Sequence, residues 1–182
     1  MIKAIDTLYN GYKFRSRLEA RWAVFFDEIG IEYRYEPEGF DLDGVWYLPD
    51  FYLPGLETWV EVKPYEPTED EWNKCELLAE LTTKRVWLTF GDMPYPHPDW
   101  TKPESDFPYG SGYMFFGKES FDMPYWFCTC HVCGKIGLQF DGRGARIPCE
   151  CDHSDHGNGD KCYSADDPIL VAAYAKARQA RF

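Results

Sequence analysis

Two carboxylates and a lysine within residues 47–64 have a spacing that could support metal-dependent chemistry. Asp50 ends one predicted strand, and Glu61 and Lys63 lie two positions apart on the next. Side chains two positions apart on a strand project from the same face, so Glu61 and Lys63 should be neighbours. If the two strands pair through the turn signal Pro54-Gly55, Asp50 and Glu61 meet at one end of the sheet.

The chemistry that fits these residue types is the coordination of a hard divalent cation. Mg²⁺ takes oxygen ligands and keeps several waters, so Asp50, Glu61 and the main-chain carbonyl of Val62 make a typical protein share. Such an ion polarises a phosphodiester and lowers the pKa of a bound water. Lys63 would orient that water or stabilise the charge that develops on the phosphate. Glu19, on a preceding helix, could supply a further carboxylate, directly or through water.

The elements that must position these residues are predicted helices and strands in one series. Ser16 to Gly30 predicts a helix, with Ser16 as the N-cap and Glu19 three positions later in a capping-box pattern. Three strands, a second helix and a fourth strand follow, with predicted ranges 31–40, 44–53, 57–64, 68–83 and 85–91. This order predicts an α/β or α+β fold in which helices flank a mixed sheet.

The chain divides into three predicted segments. Residues 1–92 form the core, and residues 93–125 are a Pro- and aromatic-rich insertion or linker that contains one short strand. Residues 126–182 combine a cysteine-rich module with a C-terminal helix. Asp166 or Asp167 lies near the N-cap of that helix, and Pro168 lies in its first turn.

The motifs FRSRLEARWAVFF, LPDFYLP and WVEVKP resemble those of the PD-(D/E)XK nuclease superfamily. The resemblance covers residues 14 to about 90. It is greatest to the transposon-end-cleaving and very-short-patch-repair nucleases, which carry a helical Ser-Arg-Leu-Glu before the core, and many small phage and prophage proteins look similar. It implies a restriction-endonuclease-like fold and a DNA hydrolase that uses Mg²⁺ or Mn²⁺, with Glu19, Asp50, Glu61 and Lys63 as the active site.

The resemblance leaves the substrate open, because members of the superfamily cut DNA as endonucleases, nickases or exonucleases and a few cut RNA. We expect an endonuclease or nickase, since the sequence carries no additional motor or clamp module. Nucleases of this type often dimerise to cut both strands, so a homodimer is an expected assembly. On the second helix, Trp72, Lys74 and Glu76 either approach the substrate or form a solvated face.

The cysteines predict a second, structural metal site. Six of the seven lie within residues 128–162, and this tight cluster without an export signal favours metal binding over disulfides. Cys130 and Cys133 have zinc-knuckle spacing, and Cys149 and Cys151 can complete a tetrahedral Cys₄ zinc site. Cys128 or Cys162 could replace Cys151 as a ligand, and His153 or His156 could compete. Cys75, which lies apart from the cluster, is expected to be a small buried thiol.

The net charge of −12 makes the chain a poor general binder of nucleic acid. The acidic excess lies in residues 1–127, whereas residues 128–182 carry seven basic and seven acidic side chains. Contacts to DNA would therefore use the cysteine-rich end or a patch near the first helix, through Arg143, Arg146, Lys161, Arg178 and Arg181, or through Lys13, Arg15, Arg17 and Arg21.

The same acidic charge supports an alternative function, in which the protein keeps the nuclease fold but acts as an acidic, zinc-containing binding or inhibitor protein on a host or phage protein. The sequence contains no apolar run of about 20 residues that could cross a membrane, and its N-terminus lacks the apolar stretch of a signal peptide. We therefore expect a protein located in the cytoplasm of a phage-infected or prophage-bearing bacterium.

Overall fold

The fold is given by a computed structural model that describes residues 5–93, 112–117, 119–121, 125–130, 132–140, 151, 163–164 and 167–182. Its helices and strands are, in chain order, β1 (Thr7–Tyr9), β2 (Tyr12–Phe14), α1 (Arg17–Glu28), β3 (Arg34–Tyr35), β4 (Phe40–Leu42), β5 (Val45–Tyr47), β6 (Phe51–Leu53), β7 (Thr58–Lys63), α2 (Glu69–Thr82), β8 (Arg85–Phe90), β9 (Gly112–Phe116), β10 (Glu119–Phe121), β11 (Tyr125–Cys130), β12 (Ile136–Phe140), β13 (Tyr163–Ser164) and α3 (Pro168–Gln179).

The main sheet has six strands in the order β10-β9-β8-β7-β6-β3 among the described residues. β7 and β8 are parallel, and the other neighbours in this sheet are antiparallel. The parallel pair needs a crossover, and α2 provides it. The fold is therefore a mixed α/β sheet flanked by helices, as the order of elements in the sequence predicted.

The two faces of the sheet are covered by different helices. On β8, Trp87 packs into a core shared with α1 and α3, whereas Val86 and Leu88 pack into a second core with α2. On β7, Val60 and Val62 belong to the first core, and Trp59 belongs to the second. Successive side chains of a strand point to opposite faces, so Glu61 and Lys63 lie on the same face of β7 as Trp59. They therefore face α2.

Helix α1 begins and ends where local signals predict. The hydroxyl of Ser16 accepts a hydrogen bond from the main-chain N–H of Glu19, which caps the N-terminus. At the other end Gly30 takes a left-handed conformation with φ of 68°. The N–H groups of Gly30 and Ile31 bond back to the carbonyls of Asp27 and Phe26, which is a Schellman motif.

Helix α2 begins with a complete capping box. The Thr68 side chain accepts from the N–H of Glu71, and the Glu71 carboxylate accepts from the N–H of Thr68. The bounds Glu69–Thr82 agree with the predicted range, and Thr83 ends the helix in a left-handed conformation. This cap fixes the position of the Glu71 side chain, which matters for the site described below.

The predicted strand over residues 44–53 is two strands in the structure. β5 pairs with β4 in a separate two-stranded sheet, and β6 pairs with β3 and β7 in the main sheet. The break falls at residues 48–50, where Pro49 has no N–H for a ladder. Because of this break, Tyr47 at the end of β5 and Asp50 just before β6 approach the same region from different sheets.

The C-terminal elements share the first core rather than lying apart from it. The ring of Tyr174 on α3 stacks on Phe25 of α1 with centroids 4.2 Å apart, and Phe127 on β11 contacts Phe25 at 5.2 Å. Strand β9, within the predicted insertion, pairs along β8 from Gly112 to Phe116. In the described part of the chain, no helix is both long and apolar enough to cross a membrane.

Candidate functional site

Asp50 and Glu61 lie opposite each other where β6 ends beside β7. The register pairs Phe51 with Val60, and its continuation by one residue places Asp50 across from Glu61. Since β6 begins only at Phe51, no residue of this strand lies opposite Val62, and the N–H of Val62 needs a different partner. The Asp50 carboxylate accepts its hydrogen bond at 2.8 Å, and both acidic side chains are buried. The pairing of β6 and β7 therefore brings the two predicted ligands together.

The Glu61 carboxylate has a different partner on each oxygen. Its Oε1 lies 2.7 Å from the ammonium of Lys63, and its Oε2 accepts a hydrogen bond from the hydroxyl of Tyr47 at 2.8 Å. Tyr47 is itself buried, and its hydroxyl also contacts the thiol of Cys75 at 3.9 Å. Glu61 is consequently held in one orientation by a cation and a neutral donor.

Glu19 reaches the same region from the first turn of α1. Its carboxylate accepts from the hydroxyls of Ser16 and Tyr35, at 2.6 and 2.7 Å, and from the N–H of Arg15 at 3.1 Å. These three donors engage both of its oxygens. Glu19 is buried and held in place. Because both of its oxygens are engaged, it would influence the site through its charge or through a water molecule.

The electrostatics of the site are dominated by an excess of buried negative charge. The pKa of Asp50 lies well above its usual range, because burial disfavours the carboxylate and because Glu61 and Glu19 add negative charge nearby. Burial alone would lower the pKa of Lys63, but the carboxylates of Glu61, Asp50 and Glu71 raise it above the ordinary value, so Lys63 stays charged.

This donor set fits a hard divalent cation. The carboxylates of Asp50, Glu61 and Glu19 are all buried, and oxygen donors are what Mg²⁺ and Mn²⁺ bind. The N–H and C=O groups of one residue point to the same edge of a strand, so the Val62 carbonyl lies on the edge that faces Asp50. Asp50, Glu61 and Val62 could therefore hold such an ion, with Glu19 as an outer carboxylate.

Three residues that sequence reasoning did not assign to the site hold its members in place. Tyr47 and Tyr35 each donate a hydroxyl to a buried carboxylate, and Glu71 lies 3.3 Å from the Lys63 ammonium. The Thr-x-x-Glu capping pattern marks Glu71 as an ordered side chain. No local pattern marks the two tyrosines, because their contacts depend on how distant segments meet.

The cysteine cluster could hold a metal such as zinc. The sulfur atoms of Cys130, Cys133 and Cys151 lie within 4.8 Å of one another. Cys130 ends β11, and a tight turn follows in which the N–H of Gly134 bonds to the carbonyl of Cys130 at 2.8 Å. Gly134 has φ of 72°, which suits glycine. Hydrogen bonding to Cys133 and burial raise the pKa of the Cys151 thiol to about 12, a tendency that a bound cation would reverse.

The remaining predicted ligands divide into two groups. The Cys128 thiol is directed at the carbonyl of Gly137 at 3.8 Å, and it is not a member of the cluster of three sulfurs. Cys75 is buried beside Tyr47, as expected of a structural thiol. Four candidates lie outside the described residues: Cys149, Cys162, His153 and His156.

Several side chains proposed to contact DNA are engaged within the protein. Lys13 pairs with Asp6 at 2.6 Å, and Arg15 pairs with Glu36 at 2.7 Å. The guanidinium of Arg178 donates to the carbonyl of Met93. Trp72 packs its ring on Tyr113 and Phe115, so it is part of the second core. Arg143, Arg146 and Lys161 lie outside the described residues.

Comparisons of this chain with known protein families, with curated proteins and with solved structures find no match. The geometry of the two candidate metal sites is therefore the basis for any statement about function.

Proposed function

We propose that this chain is a metal-dependent nuclease of the PD-(D/E)XK type that hydrolyses phosphodiester bonds in DNA. In this proposal the mixed sheet is restriction-endonuclease-like, and the site at the end of β6 and β7 is the active site. The cysteine cluster is a structural zinc site that stabilises the C-terminal part of the chain. An endonuclease or nickase of a phage or prophage is the form that we favour.

The observation that carries the proposal is the meeting of Asp50, Glu61 and Lys63 in one buried site. Asp50 lies across from Glu61, and the Lys63 ammonium lies 2.7 Å from Glu61. Ten residues, including a turn, separate Asp50 from Glu61 in the sequence. A structural role alone gives little reason to bury two acids side by side, because desolvation and mutual repulsion both oppose it.

The proposed roles follow from what each group can do. Asp50 and Glu61, with the Val62 carbonyl, bind Mg²⁺ or Mn²⁺. When bound, such an ion supplies charge that polarises the phosphodiester and lowers the pKa of a water. Lys63 orients the attacking water and stabilises negative charge on the phosphate. Glu19 contributes negative charge that favours cation binding, while Tyr47 and Tyr35 fix the two glutamates that they contact.

The test is divalent-ion-dependent cleavage of labelled duplex DNA, single-stranded DNA and RNA by zinc-loaded protein. Glu61→Gln should abolish cleavage of every substrate that the native chain cuts. Glu57→Gln is the matched control, because Glu57 lies at the preceding turn, exposed, and pairs with Lys84 at 3.1 Å. Equal cleavage by both variants would overturn the assignment of the site, and the preferred substrate would distinguish DNA from RNA.

We propose a second candidate function, an acidic binding protein that retains this fold, because of one surface feature. On the β4–β5 hairpin, Trp46 is 71% exposed and pairs across the strands with Asp41. An exposed indole beside an acid suits a basic segment of a protein partner. The Asp50→Ala variant separates the candidates. If the chain is a nuclease, the native protein binds Mn²⁺ and cleaves DNA, and Asp50→Ala loses both. If it is a binding protein, the native protein already shows neither.

A further inference from the structure

We propose that Glu71 is a positioning residue that takes over Lys63 when a divalent cation occupies Glu61. The proposal rests on the proposed nuclease site and adds to it a residue from α2. It assigns the capping box of α2 a role in the site, and it predicts a measurable coupling between Glu71, Lys63 and metal binding.

The Lys63 side chain lies between two acidic side chains. The Lys63 ammonium lies 2.7 Å from Oε1 of Glu61 and 3.3 Å from Oε1 of Glu71. All three side chains are largely enclosed, with exposures of 21%, 5% and 17% for Lys63, Glu61 and Glu71. Within the described part of the chain, these two pairs are the ion pairs that Lys63 makes.

The Glu71 side chain is fixed in place independently of Lys63. Its Oε2 accepts hydrogen bonds from the N–H and the hydroxyl of Thr68, both at 2.9 Å. The capping box thereby leaves Oε1 directed toward Lys63 and toward the hydroxyl of Tyr65, which lies 3.4 Å away. Glu71 is a preorganised acceptor whose orientation requires no contact from the lysine.

A bound cation and the Lys63 ammonium would compete for the carboxylate of Glu61. The Oε1 of Glu61 that holds Lys63 is an oxygen that a cation bound at Glu61 and Asp50 would attract. A cation there repels the ammonium, and an ammonium left without a partner in an enclosed site is unfavourable. Glu71 offers that partner at a distance of 3.3 Å, so a small side-chain shift is enough. The metal and the lysine can then both be present in the site.

The experiment measures Mn²⁺ affinity from the electron paramagnetic resonance signal of the free ion, using zinc-loaded full-length protein. Binding that persists in Asp50→Asn is subtracted as surface binding. Glu71→Gln should weaken Asp50-dependent binding about tenfold, the usual scale for an outer partner of a metal site. Gln preserves the capping box, so α2 keeps its start. Glu69→Gln, at an exposed position in the same turn, removes the same charge and should have no such effect.

The decisive comparison repeats Glu71→Gln in a Lys63→Met background, with Lys63→Gln as an alternative if the Met variant folds poorly. Without the lysine there is nothing for Glu71 to receive, so its substitution should change the affinity less than about twofold. An equal loss in both backgrounds would show a simple charge effect and would overturn the inference alone. A native chain without Asp50-dependent Mn²⁺ binding would overturn the proposed function and this inference together.

Discussion

The carboxylate of Asp50 accepts a hydrogen bond from the main-chain N–H of Val62 at 2.8 Å. This contact closes the end of the β6–β7 pair, because the acid replaces the ladder partner that β6 no longer supplies. It also sets the side chain of Asp50 across from Glu61. One hydrogen bond thus completes the sheet and positions a candidate metal ligand.

Removal of the Tyr47 hydroxyl should weaken the site without dismantling the fold. Tyr47→Phe deletes the hydroxyl that donates to Glu61 at 2.8 Å, so one buried carboxylate oxygen of Glu61 loses this hydrogen bond. We expect metal affinity or cleavage to fall about tenfold. The free energy of unfolding should fall by about 1–3 kcal/mol. Titration with Mn²⁺ and urea denaturation measure the two effects, and Tyr12→Phe, at an exposed position, is the control.

Glu71 should make stability depend on pH in the acid range. Burial alone would raise the pKa of Glu71, but hydrogen bonds from Thr68 and the charge of Lys63 lower it below the ordinary value of 4.5. The folded chain therefore prefers the carboxylate, and the stabilisation is present above the unfolded pKa and is lost as the pH falls through the folded one. In denaturation from about pH 7 to about pH 3, Glu71→Ala should cost about 1 kcal/mol at the neutral end and less at the acid end.

The control for this pH effect is Glu69→Ala, which removes an acid from the same helical turn without removing the capping box. At neutral pH its effect on the free energy of unfolding should be smaller than that of Glu71→Ala, because the capping box remains. A Glu71→Ala penalty that stayed constant down to the acid end would contradict the assigned shift.

Much of this arrangement could be predicted from local sequence signals, and the rest depends on contacts between distant segments. Ser16 predicted where α1 begins, because capping is a local interaction, and the predicted range 68–83 matches α2. The split of residues 44–53 into two strands was missed. Apolar and aromatic residues run on both sides of Pro49, and only the choice of strand partners distinguishes β5 from β6.

Within the site, the spacing of Asp50, Glu61 and Lys63 predicted their meeting, since a tight turn joins the two strands that carry them. The roles of Tyr35 and Tyr47 could not be read in this way. Tyr35 on β3 reaches Glu19 on α1, and Tyr47 on β5 reaches Glu61 on β7. Nothing in the sequence near either tyrosine specifies that approach.

The cysteine cluster predicts that zinc binding requires Cys133 and does not require Cys128. Cys133→Ala should lower the zinc content of the purified protein well below one per chain, because its sulfur belongs to the cluster. Cys128→Ala should retain zinc, since its thiol is directed at the Gly137 carbonyl. Metal analysis by mass spectrometry measures both. The same measurement on alanine variants of Cys149, Cys162, His153 and His156 identifies the fourth ligand. Zinc loss in Cys128→Ala would contradict the geometry.

The stacking of α3 on α1 predicts that the C-terminal helix supports the fold of the core. Tyr174→Ala removes the ring that lies 4.2 Å from Phe25, and it should lower the free energy of unfolding by about 3 kcal/mol. Ile169→Ala, on the same helix at an exposed position, should change it by less than about 0.5 kcal/mol. Urea denaturation compares them, and equal small effects would contradict a core shared by the two helices.

The most direct test of the proposed function is the cleavage of supercoiled plasmid by zinc-loaded protein in Mg²⁺, in Mn²⁺ and in EDTA. The native chain should nick or linearise the plasmid only with a divalent ion. Lys63→Met and Asp50→Asn should each reduce the rate by at least about 100-fold. Folded, zinc-containing native protein that leaves the plasmid intact under every condition, or variants that cut as fast as the native chain, would contradict the account.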